Sequence, residues 1–461
     1  MPKPTLDQLR EQVNGSVRGP DDAGYDEART VYNAMIDKRP TVVVGAQDSA
    51  DVATVVDFAR ESDLPIAIRG GGHSVPGFGT IDDGVVIDLS GMRGVSVDPG
   101  NRTARSQGGA TWGDFNDATH EHSLATTGGI ISTTGVAGLT LGGGIGYLTR
   151  GLGLACDNLI GAEIVTADGR IVHASADENA DLLWALKGGS GNFGVATSLE
   201  FRLHPLSDIY GGPMFFELED AGDILRWYRD FIADAPEQFG GFPAFQIAPP
   251  LPFIPEDRHG DTFVAFVSCW AGPLDEGEAI VNKIKEVASP VAEHVGPMPY
   301  PAINGAFDAL VPAGLQHYWK GNFVRELSDE AIEAHLEHGP KVPVVNSTMH
   351  IYPINGAAQR VSADESAFGH RDATFAPVIA GMWPDPAQNE ANTAWVKDYY
   401  AATAPHSDEG VYVNFVADDD QDRVRANYGA NYDRLAQVKR QYDPDNLFRN
   451  NQNIKPGPIT R

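Results

Sequence analysis

The sequence of 461 residues contains only two cysteines, Cys156 and Cys269. Two thiols cannot build a disulfide framework, and they are too few for a four-ligand structural zinc site. Also absent is any run of about 18 apolar residues, which argues against a membrane-spanning helix. Residues 1–14 are polar and mixed in charge, without the basic-then-apolar order of a secretory signal. A reducing cytoplasm is the expected compartment. Lysine is scarce, arginine outnumbers it, and the formal net charge is −29. A field of that sign repels phosphate backbones, so nucleic acid is not an expected partner. Two readings fit the acidity: adaptation to a salt-rich cytoplasm, or a surface that aids solubility. Internal repeats and long low-complexity segments are missing too, which leaves little support for a partner-binding module.

What is present suits a globular protein of two or three domains. Residues 41–44 form a β-branched run that predicts a strand. Ser49 then offers an N-cap, and Val52, Val55, Val56 and Ala59 fall at i, i+3, i+4 and i+7, one apolar helix face. Residues 65–69 predict a second strand, giving a strand–helix–strand unit. Further strands are expected over 85–89, 95–98, 103–107 and 195–203, with a helix over 112–122. Asp168-Gly169 between 162–166 and 170–174 is a hairpin signal. Beyond His204 the glycine clusters give way to strands such as 262–269 and amphipathic helices such as 275–287. A boundary is expected near Pro205, and a second change near Tyr412.

Three glycine-rich loops precede that boundary: 70–74, 128–146 and 188–194. Glycine lets backbone N–H groups approach phosphate oxygens closely. Gly-x-x-x-x-Gly-Lys-Ser/Thr is missing, so this is not a P-loop. A dinucleotide-binding loop of the Rossmann type opens a helix after its strand, whereas residues 70–73 lead toward another strand. Tight turns between packed strands would explain one such loop. Three of them, with a histidine inside the first, favour a nucleotide-like ligand.

The motif Arg69-Gly70-Gly71-Gly72-His73-Ser74 resembles the flavin-attachment loop of the vanillyl-alcohol-oxidase superfamily, in its berberine-bridge-enzyme-like branch. The resemblance continues through Gly142-Gly143-Gly144-Ile145-Gly146 and Gly153-Leu154-Ala155-Cys156-Asp157-Asn158, then through 181–194 and Phe368-Gly369-His370-Arg371. It closes with Tyr442-Asp443-Pro444-Asp445-Asn446-Leu447-Phe448-Arg449-Asn450-Asn451-Gln452-Asn453-Ile454. The ordered set spans nearly the whole chain and is similar to microbial members with a single flavin link. It implies an α+β fold: a PCMH-type FAD-binding domain of two subdomains over 1–205 (core 36–206), a substrate domain with a large antiparallel sheet over 206–410, and a C-terminal segment, 411–461, that returns to the FAD domain.

The resemblance implies FAD bound covalently through His73, whose neutral imidazole can attack the 8α-methyl carbon of the flavin. Many relatives add a link from a cysteine four residues before the position of Gly135. Here that residue is Ile131, so a single link is expected. Cys156 reads as a small buried hydrophobe. Expected cofactor contacts are Arg69, Gly70, Gly71, Gly72, His73 and Ser74; Gly129, Thr133, Gly135 and Gly138; Gly142, Gly143, Gly144 and Gly146; Asp157, Asn158, Ile164, Asn192, Asn451 and Asn453. Thr134 occupies the position that governs oxygen access.

On the substrate side, Tyr412-Val413-Asn414-Phe415 is similar to the family's Tyr-x-Asn-Tyr strand, with Phe415 lacking the last hydroxyl. Tyr412 and Asn414 are catalytic candidates, with Lys320 as a cationic neighbour. Gln359 falls in the strand region where some relatives place a glutamate base, a role that glutamine cannot fill. His350 and Tyr352 alternate on one strand face toward a pocket. His120-Glu121-His122 makes a poor metal site, because residues two apart on a helix face apart. Arg371 is expected in an ion pair. The implied activity is oxidation of a small alcohol, sugar or secondary metabolite, with molecular oxygen as acceptor, by a monomer or dimer. A dehydrogenase with another acceptor, or a flavin-carrying binding protein, are the alternatives.

Overall fold

The computed structural model describes residues 3–417 and 423–458. The first β-branched run forms the strand Val42–Gly45 of a four-stranded sheet. It pairs antiparallel with Ser16–Arg18 and parallel with Val85–Asp88, which pairs in parallel with Ile66–Arg69. The helix Ser49–Ser62 crosses between the parallel strands and buries Val52, Val55, Val56 and Ala59, the face its spacing predicts. Each such valine contributes about 1.5–3 kcal/mol on burial. The cap differs from the expected Ser49: the Asp48 side chain accepts from the backbone N–H of Asp51.

A second sheet of five antiparallel strands runs in the order Val95–Asp98, Thr103–Gln107, Val195–Arg202, Leu159–Val165, Ile171–Ser175. The last two form the hairpin around Asp168-Gly169. The helix Trp112–His120 packs on this sheet, with Trp112, Phe115 and Phe201 in edge-to-face contact.

Beyond residue 205 lies an eight-stranded antiparallel sheet. Its main path is Ala292–Glu293, Asp208–Phe216, Thr262–Trp270, Phe239–Ile247, Thr348–Pro353, Phe375–Trp383, Gln316–Gly321, and Gly296–Pro299 also pairs with Asp208–Phe216. Met214, Phe245, Phe266, Met349, Ile351 and Ile379 on one face join a core with the helices Ala221–Asp234, Asp329–His338 and Asn389–Thr403. The mixed fold with a large antiparallel sheet is therefore as expected. Three local expectations change. The predicted helix 275–287 is the α-helix Leu274–Val281 followed by a 3-10 turn, because the Asn282 N–H turns back to Glu278 and Ile280. Residues 412–415 are no strand: the Phe415 N–H bonds the Tyr412 carbonyl and winds Val413–Phe415 into a 3-10 turn. Gln359 sits in the short helix Ala357–Arg360, not in a strand.

After the helix Tyr432–Tyr442 the chain returns to the first sheet, where the Asn450 amide donates to the carbonyls of Phe78 and Thr80 at 2.8 and 3.2 Å. Among the described residues, no helix is long and apolar enough to cross a membrane.

Candidate active site

A cavity of about 360 Å³ opens between the glycine loops and the free face of the eight-stranded sheet. The sheet supplies residues two apart, as a single pleated face must: Phe242, Ala244 and Gln246; Thr348, His350 and Tyr352; Val378, Ala380 and Met382; His317 and Trp319. Opposite them stand Arg69, Gly70, Gly71, Gly72, His73 and Ser74, then Gly129, Ile131, Thr134, Gly135 and Gly138, then Asn414, and Asn451 and Gln452 from the C-terminal segment.

His73 is held at this wall by three neighbours. Tyr32 stacks on its ring at 3.7 Å between centroids. Thr133 Oγ1 lies 3.1 Å from Nε2, and Thr134 Oγ1 lies 3.4 Å from Nδ1. Burial pushes the imidazole down to about 4. It is therefore neutral at pH 7, and one ring nitrogen keeps a lone pair, as a nucleophile requires.

Three observations fit the loops to FAD. First, among the described residues, none of the backbone N–H groups of residues 70–75 donates to a protein acceptor. A loop of consecutive unpaired N–H groups is a built anion cradle, suited to a diphosphate. Second, a Cβ placed on Gly138 or Gly191 would meet nothing within 4 Å, and neither has a positive φ. The protein itself has no need of glycine there, but both residues line the cavity. Close approach of a ligand accounts for them. Third, Gln452 is 1% exposed with both amide atoms unpartnered, and Asn451 Oδ1 is unpartnered as well. Buried amides without partners are uncommon, and the polar edge of an isoalloxazine would satisfy them.

Several expected contacts lie off the cavity, for identifiable reasons. Gly142, Gly143 and Gly144 pack against Asn414, Phe368, Tyr412 and Ala155, and Gly146 packs against the Gly128 carbonyl. These glycines serve close packing behind the wall, and only Ile145 of that run reaches the cavity. Asp157 is engaged by Arg371 at 2.6 and 2.8 Å. The Asn158 amide donates to the carbonyls of Leu152 and Leu154, and its oxygen meets His204. Ile164 is fully buried in the five-stranded sheet. Asn192 donates to the carbonyls of Gly189 and Gln452 and accepts from the Ile454 N–H, so it fastens the C-terminal segment. Asn453 and Thr133 are not in the cavity lining either, though Thr133 touches His73. The Arg69 guanidinium is tied to Asp88 and to the carbonyls of Ala28 and Thr30, so its charge is already matched.

The catalytic candidates are redistributed. The Tyr412 hydroxyl accepts from the Gly144 N–H at 2.8 Å and from Asn414 at 2.9 Å, and burial raises its pKa. It anchors the wall from behind. Lys320 lies one residue out of step with His317 and Trp319, so it faces the rings of Tyr318 and Tyr400 on the other side of the sheet. Gln359 donates to the Ala373 carbonyl, outside the lining. Asn414 and Thr134 do line the cavity. Cys156 is fully buried, and no metal-binding cluster occurs among the described residues, His120 and His122 included.

The sheet contributes a pair instead. His350 Nδ1 and the Tyr352 hydroxyl are 2.6 Å apart, and both line the cavity. Burial pushes His350 down to about 3 and raises Tyr352. At pH 7 Tyr352 is therefore protonated and His350 neutral, and one hydrogen bond joins them whose direction follows the His350 tautomer. Residues that sequence reasoning missed include Tyr32, for which there was no signal, and Gln452, which sits inside a motif already recognised. His317 and Trp319 were readable from their period-two spacing.

These burials imply a dependence of stability on pH. His317, His335 and His350 are each pushed down to about 3, against about 6.5 in an unfolded chain. Between those values the unfolded state binds more protons, so acid favours unfolding and stability rises with pH. From pH 7 to 5.5 the three together should remove about 4 kcal/mol. Urea melts at both pH values check this; equal midpoints would mean that these rings are hydrated in the folded protein.

Comparison with known proteins bears on this site. Residues 40–175 match the family described as "FAD binding domain", and residues 411–455 match "Berberine and berberine like". An FAD-linked oxidoreductase of Dictyostelium discoideum is 31% identical over 92% of this chain and 91% of its own length. The (R)-6-hydroxynicotine oxidase of Paenarthrobacter nicotinovorans is 29% identical over 96% and 97%. Among solved structures, 6-hydroxy-D-nicotine oxidase from Arthrobacter nicotinovorans superposes with a TM-score of 0.86 at 27% identity, covering 96% of this chain and 98% of its own. A glucooligosaccharide oxidase from Acremonium strictum has the same TM-score at 23% identity, covering 99% and 100%, a likeness of fold. With the flavin motifs matched at both ends of the chain and full-length relatives at this identity, the chain belongs to the berberine-like FAD-linked oxidoreductases.

Proposed function

We propose that this enzyme carries FAD on His73 as its single covalent link and oxidises a small organic alcohol, with oxygen as the final acceptor and hydrogen peroxide as product. The observation that carries the reading is the neutral His73 ring at the cavity wall, on a loop whose N–H groups have no protein partner. The solved glucooligosaccharide oxidase is described with a 6-S-cysteinyl, 8α-N1-histidyl FAD. Ile131 lines the cavity at the position of the relatives' linking cysteine, and Cys156 and Cys269 are fully buried away from the lining.

Bound FAD supplies a two-electron acceptor for a hydride from the substrate carbon. The protein supplies the rest. Residues 70–75 would hold the diphosphate through backbone N–H groups, and Gln452 and Asn451 would offer amide atoms to the flavin edge. His350 and Tyr352 take the substrate proton. A hydroxyl donating to the Tyr352 oxygen passes its proton there while, with His350 Nδ1 as acceptor, the Tyr352 proton crosses to it along the hydrogen bond that joins them, 2.6 Å between heavy atoms. A neutral His350 is available as that acceptor at pH 7.

The link is tested by acid precipitation of wild type and His73→Ala, with an absorbance spectrum and intact mass of each pellet. The expected result is a yellow wild-type pellet heavier by one FAD, and a colourless mutant pellet. Flavin left in the wild-type supernatant would refute the covalent claim. Oxygen uptake matched by peroxide, mole for mole of substrate, tests the acceptor.

A further inference from the structure

The cavity wall carries chemical information that neither the flavin loops nor the relatives provide. Among the described lining residues the single formally charged side chain is Arg69, and it is spent on Asp88 and two carbonyls. The sheet and the loops above it present Phe215, Phe242, Phe307, Trp319, Phe415 and Met382. Phe242 is itself gripped edge-on by Tyr352 and stacked on Tyr147, with centroids at 4.7 and 5.9 Å. These rings are held in place before any ligand arrives.

Several polar exceptions spend their donors on the fold, whereas His317 Nε2 and Trp319 Nε1 are buried without a protein partner. The Gln246 amide donates to the carbonyls of Val345 and Ile247. The Asn346 amide donates to the Leu310 carbonyl at 2.6 Å, and the Thr348 hydroxyl donates to the Phe245 carbonyl at 3.1 Å. The side-chain oxygens of Gln246 and Asn346 accept nothing among the described residues. Together they offer acceptors to a ligand hydroxyl or N–H.

We infer that the substrate is an uncharged molecule with a flat, aromatic body, carrying the reacting hydroxyl near Tyr352 and only a few further polar groups, toward Gln246, Asn346, His317 and Trp319. This deepens the proposed function and rests on its assignment of the cavity to substrate oxidation. A carboxylate or ammonium would enter without a counter-ion, and an unpaired buried charge costs several kcal/mol. An oligosaccharide would lose water from many hydroxyls and find few partners, at about 1–3 kcal/mol for each one left unsatisfied. An aromatic ring gains both area and edge-to-face contacts. The sugar alternative is thereby set aside.

The test uses the purified holoenzyme and four probes: 2-naphthylmethanol, 2-naphthoate, 2-naphthylmethylammonium and cellobiose. Binding is read at pH 7.5 by titration calorimetry, and the flavin content of each sample is measured separately. The expected result is that 2-naphthylmethanol binds at least about tenfold more tightly than either charged probe, and that cellobiose gives no binding heat. A charged probe within tenfold of the alcohol, cellobiose binding as well as the alcohol, or no binding by any probe would each overturn the inference. The two readings fail separately. Protein that has lost its flavin on acid treatment but keeps the ranking counts against the covalent link alone. Firmly flavinylated protein with a reversed ranking counts against the substrate class alone.

Discussion

With any substrate that reduces the bound flavin, Tyr352→Phe is expected to slow anaerobic flavin reduction by about 10²–10⁴-fold, the range for loss of a positioned acid–base group. The substitution removes one oxygen and nothing else. That oxygen is hydrogen-bonded to His350 Nδ1. Without it the relay through Tyr352 to the neutral ring is cut. His350→Gln should fall in the same range, because glutamine can hydrogen-bond Tyr352 but cannot accept the proton. A double variant should be little worse than either single one, since the two residues form one relay and such units are not additive. Stopped-flow reduction at saturating substrate isolates the chemical step. If Tyr352→Phe weakens substrate affinity but leaves the reduction rate intact, Tyr352 merely shapes the pocket and the base lies elsewhere.

Lys439→Met should destabilise the fold by about 3–5 kcal/mol, the usual cost of stranding a buried charge. Lys439 and Asp443 are fully buried, with Nζ to Oδ2 at 2.6 Å. Nζ also donates to the carbonyls of Asn192 and Phe448, at 2.7 and 2.8 Å. Asp443 in turn accepts the N–H groups of Leu447 and Phe448. One ammonium thus joins the third glycine loop to the start of the C-terminal segment. Removing it leaves a carboxylate with two N–H donors and no counter-charge. Flavin incorporation should fall as well, because Asn451 and Gln452 follow within a few residues and line the cavity. Denaturant melts give the stability loss directly. A change below about 1 kcal/mol would mean that water enters and solvates Asp443. The variant Asp443→Asn with Lys439→Met restores charge neutrality and should recover part of the loss.

The elements that could be read from sequence were those governed by local rules. The helix Ser49–Ser62 follows from the spacing of four apolar residues, and the hairpin from Asp168-Gly169 between alternating runs. The loop at residues 69–74 was legible because its glycines and histidine are contiguous. The failures share one cause: they depend on which neighbour a side chain meets across the fold. Asp157 looked like a cofactor contact until Arg371, 214 residues later, took both its oxygens. Lys320 looked like a catalytic neighbour, but pleating turns it away from the face that carries His317 and Trp319. Tyr412 belongs to a recognisable motif, yet its hydroxyl is consumed by the Gly144 N–H. Alternation identified His350 and Tyr352 as sharing a face, but not their hydrogen bond or the apolar wall around them.

The anchoring of Asn450 to the carbonyls of Phe78 and Thr80 spans some 370 residues. Its consequence concerns the order of events during synthesis. The cradle at residues 70–75 is made well before the amides of Asn451 and Gln452, which lie far later in the sequence. Until then the cavity lacks the lining residues Asn450, Asn451 and Gln452. The cavity lining is therefore complete only once residues 450–452 have docked against the first glycine loop's neighbours.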